Sequence, residues 1–148
     1  MQFLTLLGKK LKSEEVIELL ELHDVSVVYD FDRFQEGMKD VYWASSRDQG
    51  FELRFNEEQI LDVVFLYIVE SSGFSSVDKS QLDAPLFSSY REAKQSFEAE
   101  GVEYVSSPSN DPNHEMFQRW IKGIFQGYSI HYEFADHTLA KVTMTLIA

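Results

Sequence analysis

The chain's two tryptophans, Trp43 and Trp120, stand 77 positions apart inside a pattern that recurs around them. Trp43, Gly50, Phe51, Leu53 and Phe55 match Trp120, Gly127, Tyr128, Ile130 and Tyr132 at that one spacing. Upstream, Val16 and Leu20 match Ala93 and Phe97 at the same separation. Downstream, Ile60, Val63, Phe65 and Tyr67 align with Leu139, Val142, Met144 and Leu146 at a separation of 79, as if the second connecting turn were two residues longer. A self-similar pattern of this length predicts one supersecondary unit used twice.

Periodicity gives the unit its elements. Ser13 stands where it can cap a helix whose Glu14 and Glu15 suit the positive first turn; Val16, Leu19, Leu20 and His23 recur at helical spacing, and the helix should end near Asp24. In the second half, Ser89 and Glu92 have capping-box spacing ahead of Tyr90, Ala93 and Phe97, with Gly101 placed to stop the helix. Strand-prone sequence follows each helix, at Val25 to Phe31 and Val41 to Ala44, then at Val102 to Val105 and Phe117 to Ile124. Phe51, Leu53 and Phe55 alternate with Glu52, Arg54 and Asn56, while Tyr128, Ile130 and Tyr132 alternate with Ser129, His131 and Glu133, so each hairpin has one apolar and one polar face. Asn56 to Gln59 and Ala135 to Thr138 are the expected turns, and the return strand Val63 to Val69, apolar on both faces, reads as central or as covered by another protein.

The predicted fold class is α+β: two tandem helix-plus-antiparallel-sheet repeats, about 1–70 and 85–148, forming one joined sheet with helices on one face. The Ser- and Asp-rich stretch 71–84 is the expected linker within a single domain. At 148 residues a core can form without disulfides or metals, and the chain has no cysteine, which removes thiolate metal sites and fits a reducing compartment. Phe3 to Leu7 precedes Lys9, Lys10 and Lys12, the reverse of a secretory signal, and no apolar run is long enough to span a bilayer. A cytoplasmic location without membrane attachment is expected.

The formal charge of −12 repels phosphate backbones and anionic membranes and favours basic protein partners, so direct nucleic-acid binding is not expected. Four histidines raise the question of chemistry. His23 lies at a helix end, and His114 in a loop lacks a second ligand pair; His131 and Glu133 share one strand face, with Asp136 and His137 in the following turn. His131, Glu133 and His137 are the one constellation that could form a hydrolytic or metal site, although a solvated sheet face accounts for the same residues; a small enzyme or ligand carrier with a pocket between sheet and helices, using His131, Glu133 or tyrosines, is the alternative function. No phosphate loop, nucleophile elbow or paired-histidine helix is present, so no enzyme activity, cofactor or metal is assigned. Trp43 and Trp120 can be core anchors or interface hot spots. The acids Asp30, Asp32, Glu36 and Asp40 are interleaved with Phe31, Phe34, Tyr42 and Trp43, a mixture that suits docking of a basic protein as well as a solvated loop.

The run of Trp43, Gly50, Phe51, Leu53, Phe55, Ile60, Val63 and Phe65, with its echo ending in Val142 to Leu146, resembles small bacterial immunity proteins of polymorphic and contact-dependent growth-inhibition toxin systems. The tandem arrangement also resembles the β-lactamase inhibitor proteins, which present an open sheet face to an enzyme; this chain departs from those secreted inhibitors in having no cysteine. The resemblance implies a protein that neutralises one cognate toxin domain, a nuclease by class, through occlusion of its active site. Under that reading the contact residues are Trp43, Glu52, Arg54, His131 and Glu133 on the sheet, with Asp30, Asp32, Glu36 and Asp40 beside them. Homodimerisation through the return strand around Phe65 and Tyr67 is a further expectation of a different kind.

Overall fold

The computed structural model describes residues 2–32 and 34–147. It is an α+β fold: one open eight-stranded antiparallel sheet carrying a few short helices. The elements run α1 (Phe3–Leu6), α2 (Glu14–Leu22), β1 (Val27–Asp30), β2 (Val41–Ser46), β3 (Phe51–Phe55), β4 (Leu61–Tyr67), a 3-10 turn (Lys79–Gln81), α3 (Tyr90–Glu100), β5 (Glu103–Ser106), β6 (Trp120–Ile124), β7 (Tyr128–Ala135) and β8 (Thr138–Leu146). The sheet order is β1, β2, β3, β4, β8, β7, β6, β5, so two four-stranded meanders meet at the β4 and β8 pair, and β1 and β5 are the edges.

Strand alternation decides what each face holds. Ala44, Leu53, Val64, Met144, Ile130, Gly123 and Tyr104 form one cross-strand row, and Ser46, Phe51, Leu66, Val142, Tyr132, Ile121 and Ser106 form the next. These rows join the core with Val16, Leu19 and Leu20 of α2 and Tyr90, Ala93 and Phe97 of α3. Phe51 meets Phe3 of α1 at 5.0 Å between ring centres, and Tyr132 meets Phe87 at 5.1 Å. Burying a side chain of this size stabilises the fold by roughly 1.5 to 3 kcal/mol, which is why the helices lie on this face.

Several expectations need correction in detail. Ser13 occupies the N-cap position of α2, yet its hydroxyl is buried and accepts no capping bond. Ser89 does accept from the Glu92 amide at 3.2 Å, whereas the Glu92 carboxylate reaches back to Ser88 rather than to Ser89. Residues expected to begin the sixth strand, Phe117 to Arg119, form a turn with Gln118 at φ 50°. The four-residue helix α1 carried no readable period. The separation of 79 on the return strands fails too: it equates Val63 and Phe65, which pair with Arg54 and Glu52 away from the helices, with Val142 and Met144, which face the core. Register shifts beside Phe55 and Phe134 alter the count, and the residues sharing the core face, Leu61, Val64 and Leu66, stand 78 positions from Leu139, Val142 and Met144.

The segment after β4 is tied down. Gly50, at φ 73°, lies under it so closely that a Cβ would fall 2.2 Å from the Ser75 carbonyl oxygen. Phe74 and Val77 are buried, and Asp83 accepts from the amides of Leu4 and Thr5 at 2.9 and 3.1 Å.

Candidate functional site

The sheet face opposite the helices carries a chain of stacked groups. Trp43 stacks on Phe65 at 6.2 Å; Lys141 Nζ lies 4.9 Å from the centre of Phe65 and 5.1 Å from that of Tyr67. Tyr67 in turn stacks on Phe74 at 4.3 Å and 8°, and the Arg47 guanidinium covers Phe74 at 4.9 Å. Alternation along β2, β4 and β8 puts these residues on one side; cations over ring faces add attraction beyond area burial and hold the lysine stem in place. Val63, next to Phe65 on this side, is central in the sheet, which accounts for a strand apolar on both faces.

Around the stack the charges alternate. Glu52 accepts from the Ser45 hydroxyl at 2.6 Å, Arg54 pairs with Asp62 at 3.6 Å, and Glu133 stands opposite Lys141. Burial raises the Asp62 carboxyl above its ordinary range against the opposing pull of Arg54, and burial likewise raises the Tyr67 phenol. His131 lies against Trp120 at 5.1 Å with the rings tilted by 57°, its Nε2 buried; burial holds its imidazole below the ordinary value, with Lys122 and Lys141 acting the same way and Glu133 opposing them.

Trp43, Glu52, Arg54, His131 and Glu133 are thus brought onto one face, and both tryptophans are half-buried there, not in the core between sheet and helices. His137 is not brought to them: with Asp136 it forms an exposed turn, both at positive φ, beyond the end of β7 and on the order of 15 Å or more along the strand from His131. Among the described residues no group of three His, Asp or Glu could hold a metal ion. His23 caps α2 against the Phe51 ring at 5.7 Å, and His114 Nδ1 accepts from the Met116 amide.

The acidic loop divides into two kinds of residue. Asp32 accepts from the amides of Glu36, Gly37 and Met38 at 3.0, 3.0 and 3.1 Å; Asp40 accepts from the Asp32 amide at 2.9 Å and from the Tyr29 hydroxyl at 2.6 Å. These two carboxylates hold the loop's shape. The hydrogen bonds from Tyr29 and the Asp32 amide hold the Asp40 carboxyl below its ordinary range, and the same contact pushes Tyr29 up to about 12. Asp30 and Asp32 reach the open face, where with Phe31, Met38, Trp43 and Arg54 they line a groove of about 470 Å³. Glu36 projects from the loop, exposed.

What sequence reasoning missed is the part played by Phe65, Tyr67, Phe74 and Lys141, whose contacts cross from one half of the chain to the other. On the open face Arg54, Lys122 and Lys141 stand among Glu52, Asp62 and Glu133, with Asp30 and Asp32 adding negative charge at the β1 end, whereas the exposed side of α2 carries Glu14, Glu15, Glu18 and Glu21. No helix among the described residues is long and apolar enough to cross a membrane. The sequence matches no family model, and no curated protein or solved structure is significantly similar to it.

Proposed function

We propose that this is a cytoplasmic immunity protein, built from two copies of one helix-plus-sheet unit, that binds a cognate toxin domain of the nuclease class and blocks its active site without turnover. The observation that carries the reading is the uncovered sheet face with its stack from Trp43 through Phe65 and Lys141 to Tyr67. Trp43 and Phe65, partly exposed and already held in the stack with the buried Tyr67, lose little freedom on binding, and interface energy concentrates in such residues. The mixed charges around them give register and specificity, while the acid excess elsewhere on the chain draws in a basic partner over distance. The meeting of two meanders at β4 and β8 is what supports the two-copy reading.

The test uses tagged protein as bait at low salt, followed by nuclease assay of the purified toxin domain it retains. The expected result is a 1:1 complex without nuclease activity, with affinity reduced roughly 100-fold by Trp43→Ala and Phe65→Ala together, as for hot-spot pairs. Thermal unfolding checks that the double variant is folded. Full toxin activity in the presence of saturating wild-type protein would show the proposal to be wrong.

A further inference from the structure

Exposed large apolar side chains are unevenly distributed. Of twelve among the described residues, six lie between Val27 and Met38: Val27, Val28, Tyr29, Phe31, Phe34 and Met38. Phe34, at 80% exposure, is the most exposed of all. A concentration of this kind marks a contact surface more often than a solvated one.

The segment that presents Phe34 is held in shape. Asp32 receives three consecutive amides from residues 36–38, and Asp40 receives the amide of Asp32 and the Tyr29 hydroxyl. Tyr29 is itself stacked on Tyr42 at 4.8 Å, which ties the arrangement to the sheet. Lys39 approaches Glu57 in the neighbouring β3 to β4 turn at 4.0 Å. Asp32 and Asp40 are engaged inside the loop and Lys39 lies beside Glu57, whereas no hydrogen bond joins the carboxylates of Asp30 and Glu36 to other described residues, and both lie within the apolar stretch.

We infer that residues 34–40 form a preformed insertion finger, with Phe34 as its anchor and Glu36 as its charge, that enters a partner cleft having an apolar pocket and a basic rim. The inference rests on the proposed inhibitory function and names the chemistry of its partner. Charge complementarity selects that occupant. A second copy of this chain would bring two acidic loops together, whereas a cleft built to hold phosphate presents cations that Glu36 can pair with in place of substrate. The finger borders the groove beside Trp43 and Arg54, so one partner can cover both finger and sheet face.

Binding kinetics of the captured toxin domain test this, with four forms of the full-length protein: wild type, Phe34→Ala, Asp32→Asn, and the Trp43→Ala and Phe65→Ala double variant. Phe34→Ala should raise Kd roughly 30-fold or more, mainly through faster dissociation, because the side chain is 80% exposed in the free protein. Asp32→Asn keeps Phe34 but has only one acceptor oxygen for three amides. It should weaken binding about 10-fold, and amide exchange at Glu36, Gly37 and Met38 should accelerate in the free protein. Wild-type affinity in Phe34→Ala, alongside weakened binding in the sheet-face double variant, would overturn the finger and leave the inhibitory reading in place. Unchanged exchange in Asp32→Asn would overturn the claim that the finger is preformed. No binding by the wild type would overturn both the finger and the function on which it rests.

Discussion

The two edges of the sheet are built from sequence positions 77 apart, and they end differently. At the β5 edge Tyr104 packs on Phe97 of α3 at 6.1 Å and donates to Glu98 at 2.7 Å, while Tyr90 donates to Ser106 at 2.7 Å. Gly123, beside Tyr104, makes this possible, since a Cβ there would stand 2.8 Å from Phe97. The corresponding positions in the first half are Leu20, Ser46 and Val27. Leucine is too short to reach the outer strand, and Val27 lies against Ala44 instead of Ser46. All four residues of β1 are exposed as a result. One helix seals its edge, and the other leaves its edge for side chains of the strand and loop to organise. Edge strands with unpaired backbone groups are where another chain can approach, so the difference bears directly on where a partner docks.

The sealed edge can be broken most severely at Phe97. Phe97→Ala should cost about 3 to 5 kcal/mol, since the ring contacts Phe87, Tyr104, Phe125 and Tyr132, whereas Leu20→Ala should cost about 2 to 4 kcal/mol. Urea denaturation measures both. The sharper test is amide exchange: β5 should lose protection in Phe97→Ala, and β1 should exchange as in the wild type in either variant. Equal protection of β1 and β5 in the wild type would remove the contrast between the edges.

Gly123→Ala probes the same seal with a single methyl group. The new Cβ would also lie 3.0 Å from Phe125, so two rings must move, and a loss of about 1 to 3 kcal/mol is expected. The exchange of β5 should change with it. A neutral effect would mean that Phe97 can shift without releasing the edge strand.

How much of this could be read beforehand follows from which signals are local. The alternation in Phe51, Leu53 and Phe55 and in Tyr128, Ile130 and Tyr132 placed those side chains correctly on the core face, because a period of two needs only neighbours along the strand. The Ser89 cap and Gly101 stop were legible for the same reason. The face of Val63 and Phe65 was not, because a register shift beside Phe55 leaves no mark in composition. Nor was the aromatic and cationic stack, since Lys141 reaches Phe65 from the other half of the chain. Asp32 and Asp40 looked like Asp30 and Glu36 in sequence. Only the fold separates the two that hold the loop from Asp30, which ends β1 beside the groove, and Glu36, which projects from the loop.

That separation gives the smallest of the expected effects, in the pH response of the open edge. Asp40 titrates below its ordinary value of 3.8 because the folded loop donates hydrogen bonds to its carboxylate. Its contribution to the loop is therefore present above that value and is lost as pH falls through the depressed folded one. Tyr29 works in the opposite direction: raised from 10.0 to about 12, it contributes fully below pH 10.0 and loses the contribution as pH rises through about 12. The β1 edge should loosen at both extremes, and β5, whose Tyr104 phenol is likewise raised by its bond to Glu98, should loosen on the alkaline side as that contact is lost. Absorbance titration of the tyrosines in wild type and Asp40→Asn checks the assignment. One tyrosine should move down toward 10.0 in the variant, and the phenol bonded to Glu98 should stay where it is. If no tyrosine moves, the pairing of Tyr29 with Asp40 does not persist in solution, and the loop owes its shape to Asp32 alone.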